Sequence, residues 1–394
     1  MTAAERRAVI SGIGQSLVGR RLGREGLDLT IDAALEAIAD ARLTVADIDG
    51  LATYPGGVNG FPGFSGPGSP EVQDALRLSL NWHSGAAEGP GQLQAVVSAM
   101  MAVSIGLARH VLVYRTVTES TAQGSGHRPG IGVGGSEAGG PLQWLIPFRA
   151  YSAANWLALY AQRHFHEFGT THDQMAQIAL NGRRNAARNP KAVFRDPLTL
   201  EDYLASRMVS SPFRLYDCDV PVDGSTALVV SVVEHASAVD HPVARIEAAG
   251  TALRGRPSWE QWEDLTTMPA RTSAEHMWSR TDLRPADVDV AQLYDGFSWL
   301  TMSWLEALGF CGHGESGPFI QDGARIALDG ELPLNTDGGQ LSGGRLHGYG
   351  YLHEAVLQLR WEAGARQVTG GPEVAVVSNG GGPISGCVLL TRLA

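Results

Sequence analysis

The sequence predicts an α/β fold made of two duplicated βαβ-rich halves with mainly parallel sheets. Three observations predict it. Short apolar runs alternate with amphipathic helical patterns along the chain. An internal echo is the second: Thr44-Val-Ala-Asp-Ile-Asp-Gly50 returns as Arg284-Pro-Ala-Asp-Val-Asp-Val290, each time leading into an apolar strand. The third is the 49 glycines and 20 prolines among 394 residues, which favour tight turns and close approaches over long helices. On this reading residues 1–240 form the first half, with a loop and helical insertion at about 119–215, and residues 241–394 form the second.

Ala8 to Ile13 is a short apolar run ending at Gly14, the first strand. Leu27 to Leu43 then sets Leu29, Ile31, Ala34, Leu35 and Ile38 on one helical face, with Asp32, Glu36 and Asp40 opposite. Gly56 to Pro70 is rich in glycine and proline and reads as loop. Gln92 to Ala108 is a helix of small residues, suited to burial between close neighbours, and His110 to Arg115 is the buried strand after it. Residues 119–150 lack periodicity, which marks a functional loop or an interface. Helical patterns return at 153–168, 171–187 and 198–208, before a buried strand at 227–233. The second half repeats the order with strands at 243–247 and 288–294, a helical segment near 274–279, and a helix over 352–359.

Composition narrows the function. Hydrophobic residues make up 44% of the chain and charged residues 18%, enough apolar material for a large core. No window reaches about 18 uninterrupted apolar residues, so no membrane span is expected. The first 20 residues carry Glu5, Arg6 and Arg7 and lack the apolar block of a secretory signal, so a cytoplasmic protein is expected. A net charge of −11 argues against a nucleic-acid surface, which needs a basic stripe. Cys218, Cys311 and Cys387 form neither a CxxC pair nor a zinc knuckle, and their odd count suits a reducing compartment. His164 and His166 are spaced i, i+2 on a helix and do not point at one ion, so no metal site is expected.

Five segments carry a resemblance to a known family. They are AVISGIGQSLVGR at 8–20, LTVADIDGL at 43–51, the run from Arg188 to Val230, QLYDGFS at 292–298 and NTDGGQLSGGRLHGYG at 335–350. Together they resemble the thiolase superfamily, in the lipid-transfer-protein branch related to the thiolase of sterol carrier protein x. The resemblance covers essentially the whole chain. It implies a thiolase fold, with its two halves stacked in αβαβα layers, and a homodimer. Against the thiolase pattern the chain lacks both cysteines. The nucleophile belongs near Pro90, where a helix N-terminus lowers a thiol's pKa, and the window from His83 to Gln92 has no cysteine. Ser378-Asn-Gly-Gly-Gly382 stands where the second cysteine is expected, Arg345 aligns with the thiolase loop histidine, and Tyr294 replaces an Asn or His.

This pattern is similar to the branch that cleaves steroid side-chain acyl-CoA thioesters by a retro-aldol reaction. That chemistry needs no thiol. It needs a base for the substrate hydroxyl and donors for the enolate that forms on the thioester oxygen. The resemblance implies Tyr294 as the base, if nearby cations lower its pKa from about 10. Tyr349 or His347 is expected to be the proton donor to the enolate, and the backbone around Gly380 and Gly381 is expected to form part of the oxyanion hole. A second tyrosine of that branch falls at the place of Arg345, so its role passes to Tyr349, Tyr351, His347 or Arg345. Asp295 either joins the oxyanion site or caps the helix beginning near Phe297. Arg345 holds a CoA phosphate, orients the base or forms a salt bridge. Trp144 and Trp156 are candidates for an acyl pocket. No metal or redox cofactor is implied in this chain. The implied partner is a small zinc-ribbon/OB-fold acyl-CoA-binding protein, which carries the zinc, in a two-plus-two assembly contacted through 119–150 and Trp144. Two other readings stand beside this one: a Claisen-type acyl-CoA acyltransferase and a non-catalytic acyl-CoA- or lipid-binding protein.

Overall fold

A computed structural model of the chain describes residues 4–55, 63–85, 93–125, 142–253, 262–382 and 385–394. Its first strands are β1 (Ala8–Gln15), β2 (Gly50–Thr53), β3 (Trp82–Ser84) and β4 (His110–Thr118), with helices α1 (Gly26–Asp40), α2 (Ser69–Leu76) and α3 (Gln94–Ser104) between them. Helices α4 (Glu119–Gly124), α5 (Leu142–Leu145), α6 (Ala153–Phe168), α7 (His172–Ala186) and α8 (Leu200–Ala205) follow. A small hairpin, β5 (Met208–Ser210) and β6 (Phe213–Arg214), leads to β7 (Asp223–Val232). The remainder runs β8 (Val243–Ala252), α9 (Ala270–Trp278), β9 (Val290–Gln292), α10 (Ser298–Ala307), α11 (Ser316–Ile320), α12 (Tyr349–Arg360), β10 (Val374–Gly380) and β11 (Ser385–Leu393).

Nine strands join in the order β3-β2-β4-β7-β1-β8-β11-β10-β9. Read outward from the β1–β8 junction, the order is a mirrored repeat. β7 and β11 come next on either side, then β4 and β10, then β2 and β9. Strand directions repeat as well, since β4–β7 and β10–β11 are antiparallel while β2–β4 and β9–β10 are parallel. The sequence echo has a structural job in both copies. Asp49 accepts hydrogen bonds from the Arg109 and His110 N–H groups at the start of β4, at 2.9 and 3.0 Å. Asp289 accepts from Glu373 and Val374 at the start of β10, at 2.8 and 2.9 Å. Each aspartate thereby fixes the register of the parallel pair that carries a site strand.

The mainly parallel sheet expected from the sequence is corrected to a mixed one. β7 and β11 each run antiparallel to both neighbours, because β11 turns straight back from β10 and β7 enters after the helical insertion. One face of the first half is covered by α1, whose Leu29, Ala33, Ala34, Ala37 and Ile38 are buried. Leu35, expected on that face, is 45% exposed, because the buried stripe follows positions 29, 33, 37 and 34, 38 and leaves 35 outside it. Gly12 and Gly250 occupy matching places on β1 and β8. A Cβ on either would overlap a helix carbonyl, that of Ala37 on α1 or Ser273 on α9. α12 packs against β9, β10 and β8 and also against β1 and β7, so it touches strands on both sides of the β1–β8 junction. Among the described residues no helix is long and apolar enough to cross a membrane.

Candidate active site

The site is assembled where β9 and β10 end, facing the N-terminus of α12. The two strands are parallel, and Gln292 opposite Val377 is the last pair of their ladder, two residues short of Tyr294 and Asn379. The Tyr294 N–H donates to Ser378 Oγ at 3.1 Å, which ties the two ends together. The Tyr294 ring folds back over Gly296, where a Cβ would stand 2.8–3.0 Å from the ring edge and hydroxyl. The glycine of Tyr294-Asp-Gly-Phe297 is thus a steric requirement of the tyrosine's position.

Asp295 is corrected from the sequence expectation. It does not cap α10. Its Oδ1 accepts from the Gln340 N–H at 2.7 Å and from the Tyr351 hydroxyl, and its Oδ2 accepts from the Leu341 N–H at 3.4 Å. Asp295 therefore anchors the tight turn 339–343, where a Cβ on Gly339 would overlap its carboxylate. Burial lifts its pKa to about 7, against the opposing pull of the Tyr351 hydroxyl. Tyr351 is buried and serves this anchor, its oxygen also accepting from the Asp295 N–H at 3.1 Å. Tyr351, expected at the substrate, has its hydroxyl engaged with Asp295.

Arg345 sits in a buried ionic cluster whose acids came from outside the expected residues. Its Nε and Nη2 donate to the two oxygens of Glu119 at 2.9 and 2.8 Å, and its Nη1 donates to Asp219 at 3.0 Å. His347 Nε2 lies 3.2 Å from Glu119 as well. The 217–223 segment threads between the two site loops, and that path delivers Asp219. The Asp219 N–H donates to the Gly296 carbonyl at 3.2 Å, and the Val220 carbonyl accepts from the Arg345 N–H at 2.9 Å. Burial alone would raise the Glu119 pKa, but Arg345 and the bond to His347 hold it down to about 2. Burial raises Asp219 to about 6 despite Arg345. Burial pushes His347 down to about 4 against the pull of Glu119, so the imidazole is neutral at pH 7.

These charges correct the condition placed on Tyr294. Burial and the nearby Asp219 charge push its phenol above its ordinary value, and Arg345 only partly offsets them. The guanidinium is already matched by two carboxylates, so it has little field left to ionise a phenol. A CoA phosphate is a poor third partner for the same reason.

Tyr349 keeps different company. It is buried, its hydroxyl has no hydrogen-bond partner among the described residues, and burial raises its pKa while Arg115 opposes that rise. Arg115 itself is fully buried under the Phe64 ring, with its Nη1 bonded to the Phe64 and Thr116 carbonyls. Gly348, just ahead of Tyr349, has φ +86° and lies against the Asn379 amide, which a Cβ there would overlap. Gly348→Ala is expected to lower turnover at least about tenfold and to cost about 1–3 kcal/mol of stability. Steady-state rates and thermal melts check both. Gly380 and Gly381 have positive φ, and the Gly380 carbonyl accepts from Trp304 Nε1 at 3.0 Å, which pins that peptide.

Burial raises the pKa of all three thiols, Cys218, Cys311 and Cys387, so none is an activated nucleophile. Iodoacetamide at neutral pH is expected to leave activity unchanged, read by rate before and after alkylation. Residues 86–92, including the position near Pro90, lie outside the described residues, as do 126–141 and the Trp144 side chain. Trp156 Nε1 donates to the Ala150 carbonyl at 2.8 Å, a packing role. His164 is held by Thr170 and Glu306, and among the described residues no group of three metal-ligating side chains converges. A separate cavity of about 310 Å³, lined by Lys191, His353, Glu354 and Arg360 among others, contains none of Tyr294, Arg345 or His347.

Residues 252–390 match the family model described as thiolase C-terminal domain-like. The whole chain is 36% identical to the steroid side-chain-cleaving aldolase of Thermomonospora curvata, across 97% of each. It is 34% identical to the 17-hydroxy-3-oxo-4-pregnene-20-carboxyl-CoA lyase of Mycobacterium tuberculosis, across 97% of this chain and 98% of that one. A solved Ltp2-ChsH2(DUF35) aldolase superposes with a TM-score of 0.86 at 33% identity, covering 98% of both chains. Fold and site thus define a thiolase-like protein without the thiolase nucleophile. Within the thiolase superfamily, the chain belongs to the family of the steroid side-chain-cleaving aldolases.

Proposed function

We propose that this chain is a retro-aldolase. It cleaves a β-hydroxyacyl-CoA thioester on a steroid side chain to a ketosteroid and a short acyl-CoA such as propionyl-CoA. The observation that carries this reading is the near-full-length similarity to two enzymes of that kind, which spans both site loops. The raised thiol pKa values support it against a Claisen reaction.

The chain's residues divide the work as follows. Because the Tyr294 phenol is protonated, it takes the substrate's hydroxyl proton only as it gives up its own. Asp219, with its pKa near 6 and its charge acting on Tyr294, receives that proton. The C–C bond pair then moves to the α-carbon and the thioester oxygen, forming the enolate, and the former hydroxyl becomes the ketone. Tyr349, protonated and unpartnered, is better suited than neutral His347 to return a proton to the α-carbon. Arg345, Glu119 and His347 hold the geometry.

If Asp219 must be ionised, activity falls as pH drops through about 6, because its carboxylate is then already protonated. Glu119, held near 2, stays charged across that range. Asp219→Asn is expected to lower kcat and to remove the acidic limb from the kcat profile. An unchanged limb would assign it to another group.

In this reading the chain works in the cytoplasm as a dimer with a small partner that carries any zinc, and the similarity to an Ltp2-ChsH2(DUF35) aldolase supports a DUF35-type partner. The proposal is tested by incubating the chain, alone and with such a partner, with a 17-hydroxy steroid-22-oyl-CoA. Mass spectrometry should find a 17-ketosteroid and propionyl-CoA. Binding without cleavage in either preparation would favour the binding-protein reading.

A further inference from the structure

We propose that the side-chain amides of Asn379 and Gln340 hold the thioester oxygen as it becomes an enolate; the inference rests on the retro-aldol reading above. Buried side-chain amides in folded proteins are almost always hydrogen-bonded. Asn379 is fully buried, yet among the described residues neither its Nδ2 nor its Oδ1 has a partner. Gln340 is 2% exposed, and among the described residues its Nε2 makes no well-formed hydrogen bond, its amide only approaching the Tyr294 hydroxyl.

The orientation of Gln340 is fixed by its other end. Its Oε1 accepts from the His347 N–H at 3.0 Å, so the open end is the NH₂ group, a donor. Asn379 presents its Nδ2 against Gly348. Both amides therefore flank the same His347–Gly348 step of the site loop. Both also adjoin Tyr294: Asn379 follows Ser378, whose Oγ accepts from the Tyr294 N–H, and the Gln340 amide acts as a hydrogen-bond donor toward the Tyr294 hydroxyl. A β-hydroxy thioester has its hydroxyl and carbonyl oxygens only three carbon atoms apart. A group handling the hydroxyl proton and donors for the carbonyl must then be close neighbours.

The other polar groups nearby are less suited to a forming oxyanion. Glu119, Asp219 and Asp295 are carboxyl groups, and Arg345 has committed Nε, Nη1 and Nη2 to Glu119 and Asp219. Neutral amides carry no such conflict and do not titrate, so they remain donors across the working pH range. Their preorganisation in a dry pocket is what makes such donors effective in a transition state. The role given to the Gly380 and Gly381 backbone by resemblance passes in this account to side chains on either side of the same loop.

The test uses Asn379→Ala and Gln340→Glu, the second retaining an acceptor for the His347 N–H. Turnover is measured on the 17-hydroxy steroid-22-oyl-CoA. Binding is measured for two probes without the hydroxyl, the 17-deoxy thioester and its thioether, which lacks the carbonyl oxygen. Each variant should lose about 10²–10³-fold in kcat. Each should also lose the wild-type preference for thioester over thioether while binding the thioether normally. Retention of kcat within about threefold, or equal loss of affinity for both probes, would overturn the assignment. If Asn379→Ala fails to fold, Asn379→Asp keeps the shape and removes the Nδ2 donor. A wild-type chain that prefers the thioester but does not cleave the hydroxy substrate would refute the retro-aldol reading and leave the donor assignment standing.

Discussion

Tyr294→Phe is expected to cut turnover by about 10²–10⁴-fold while the protein melts within a few degrees of wild type. The reasoning is geometric. The tyrosine leaves the β9 end held by its own N–H on Ser378 Oγ, and its ring lies over Gly296. The first contact uses no side-chain atom of the tyrosine and the second is steric, so phenylalanine keeps the ring in place and removes the proton carrier together with its contact to the Gln340 amide. The T-shaped contact with the Tyr351 ring, centroids 6.5 Å apart, also survives. Substrate affinity should change little. A variant that turns over at a near-normal rate would move the hydroxyl chemistry to another residue.

Arg345→Leu should have the larger effect on stability. The guanidinium carries three hydrogen bonds to Glu119 and Asp219, both largely shielded from water. Removing it strands two carboxyl groups, and breaking a buried ion pair from one side costs about 3–5 kcal/mol. Set against a total stability of about 5–15 kcal/mol, that is a severe loss. A fall in melting temperature on the order of 10 °C is expected, with activity lost alongside. Arg345→Lys should recover only part of it, since an ammonium cannot make the paired contact to Glu119. A leucine variant with a wild-type melt would show that the cluster contributes little.

Much of the architecture was legible in the chain. The Asp49 and Asp289 echo marks the same junction in each half, and the periodic runs mark most helices. Strand direction was not legible, because an apolar run looks the same whichever way it pairs. Within the site, Arg345 and His347 meet at Glu119, and Arg345 acts on Tyr294. Their partners were missed for a physical reason. Glu119 is 226 residues from Arg345 and Asp219 is 126, and nothing local announces a pairing over that distance. Asn379 and Gln340 sat inside glycine-rich motifs that were read for their backbone. The signal was present as polar residues with no evident role, and only burial without partners reveals what they do.

The account's central claim is a retro-aldol cleavage, and isotope labelling reads it most directly. The 17-hydroxy steroid-22-oyl-CoA, with ¹⁸O in the hydroxyl, is turned over in D₂O and both products are weighed. Retro-aldol cleavage predicts that the ketosteroid keeps the ¹⁸O and that propionyl-CoA gains one deuterium at the α-carbon. Release of free CoA with the side chain still attached to the steroid, or of an acyl product without deuterium, would contradict it.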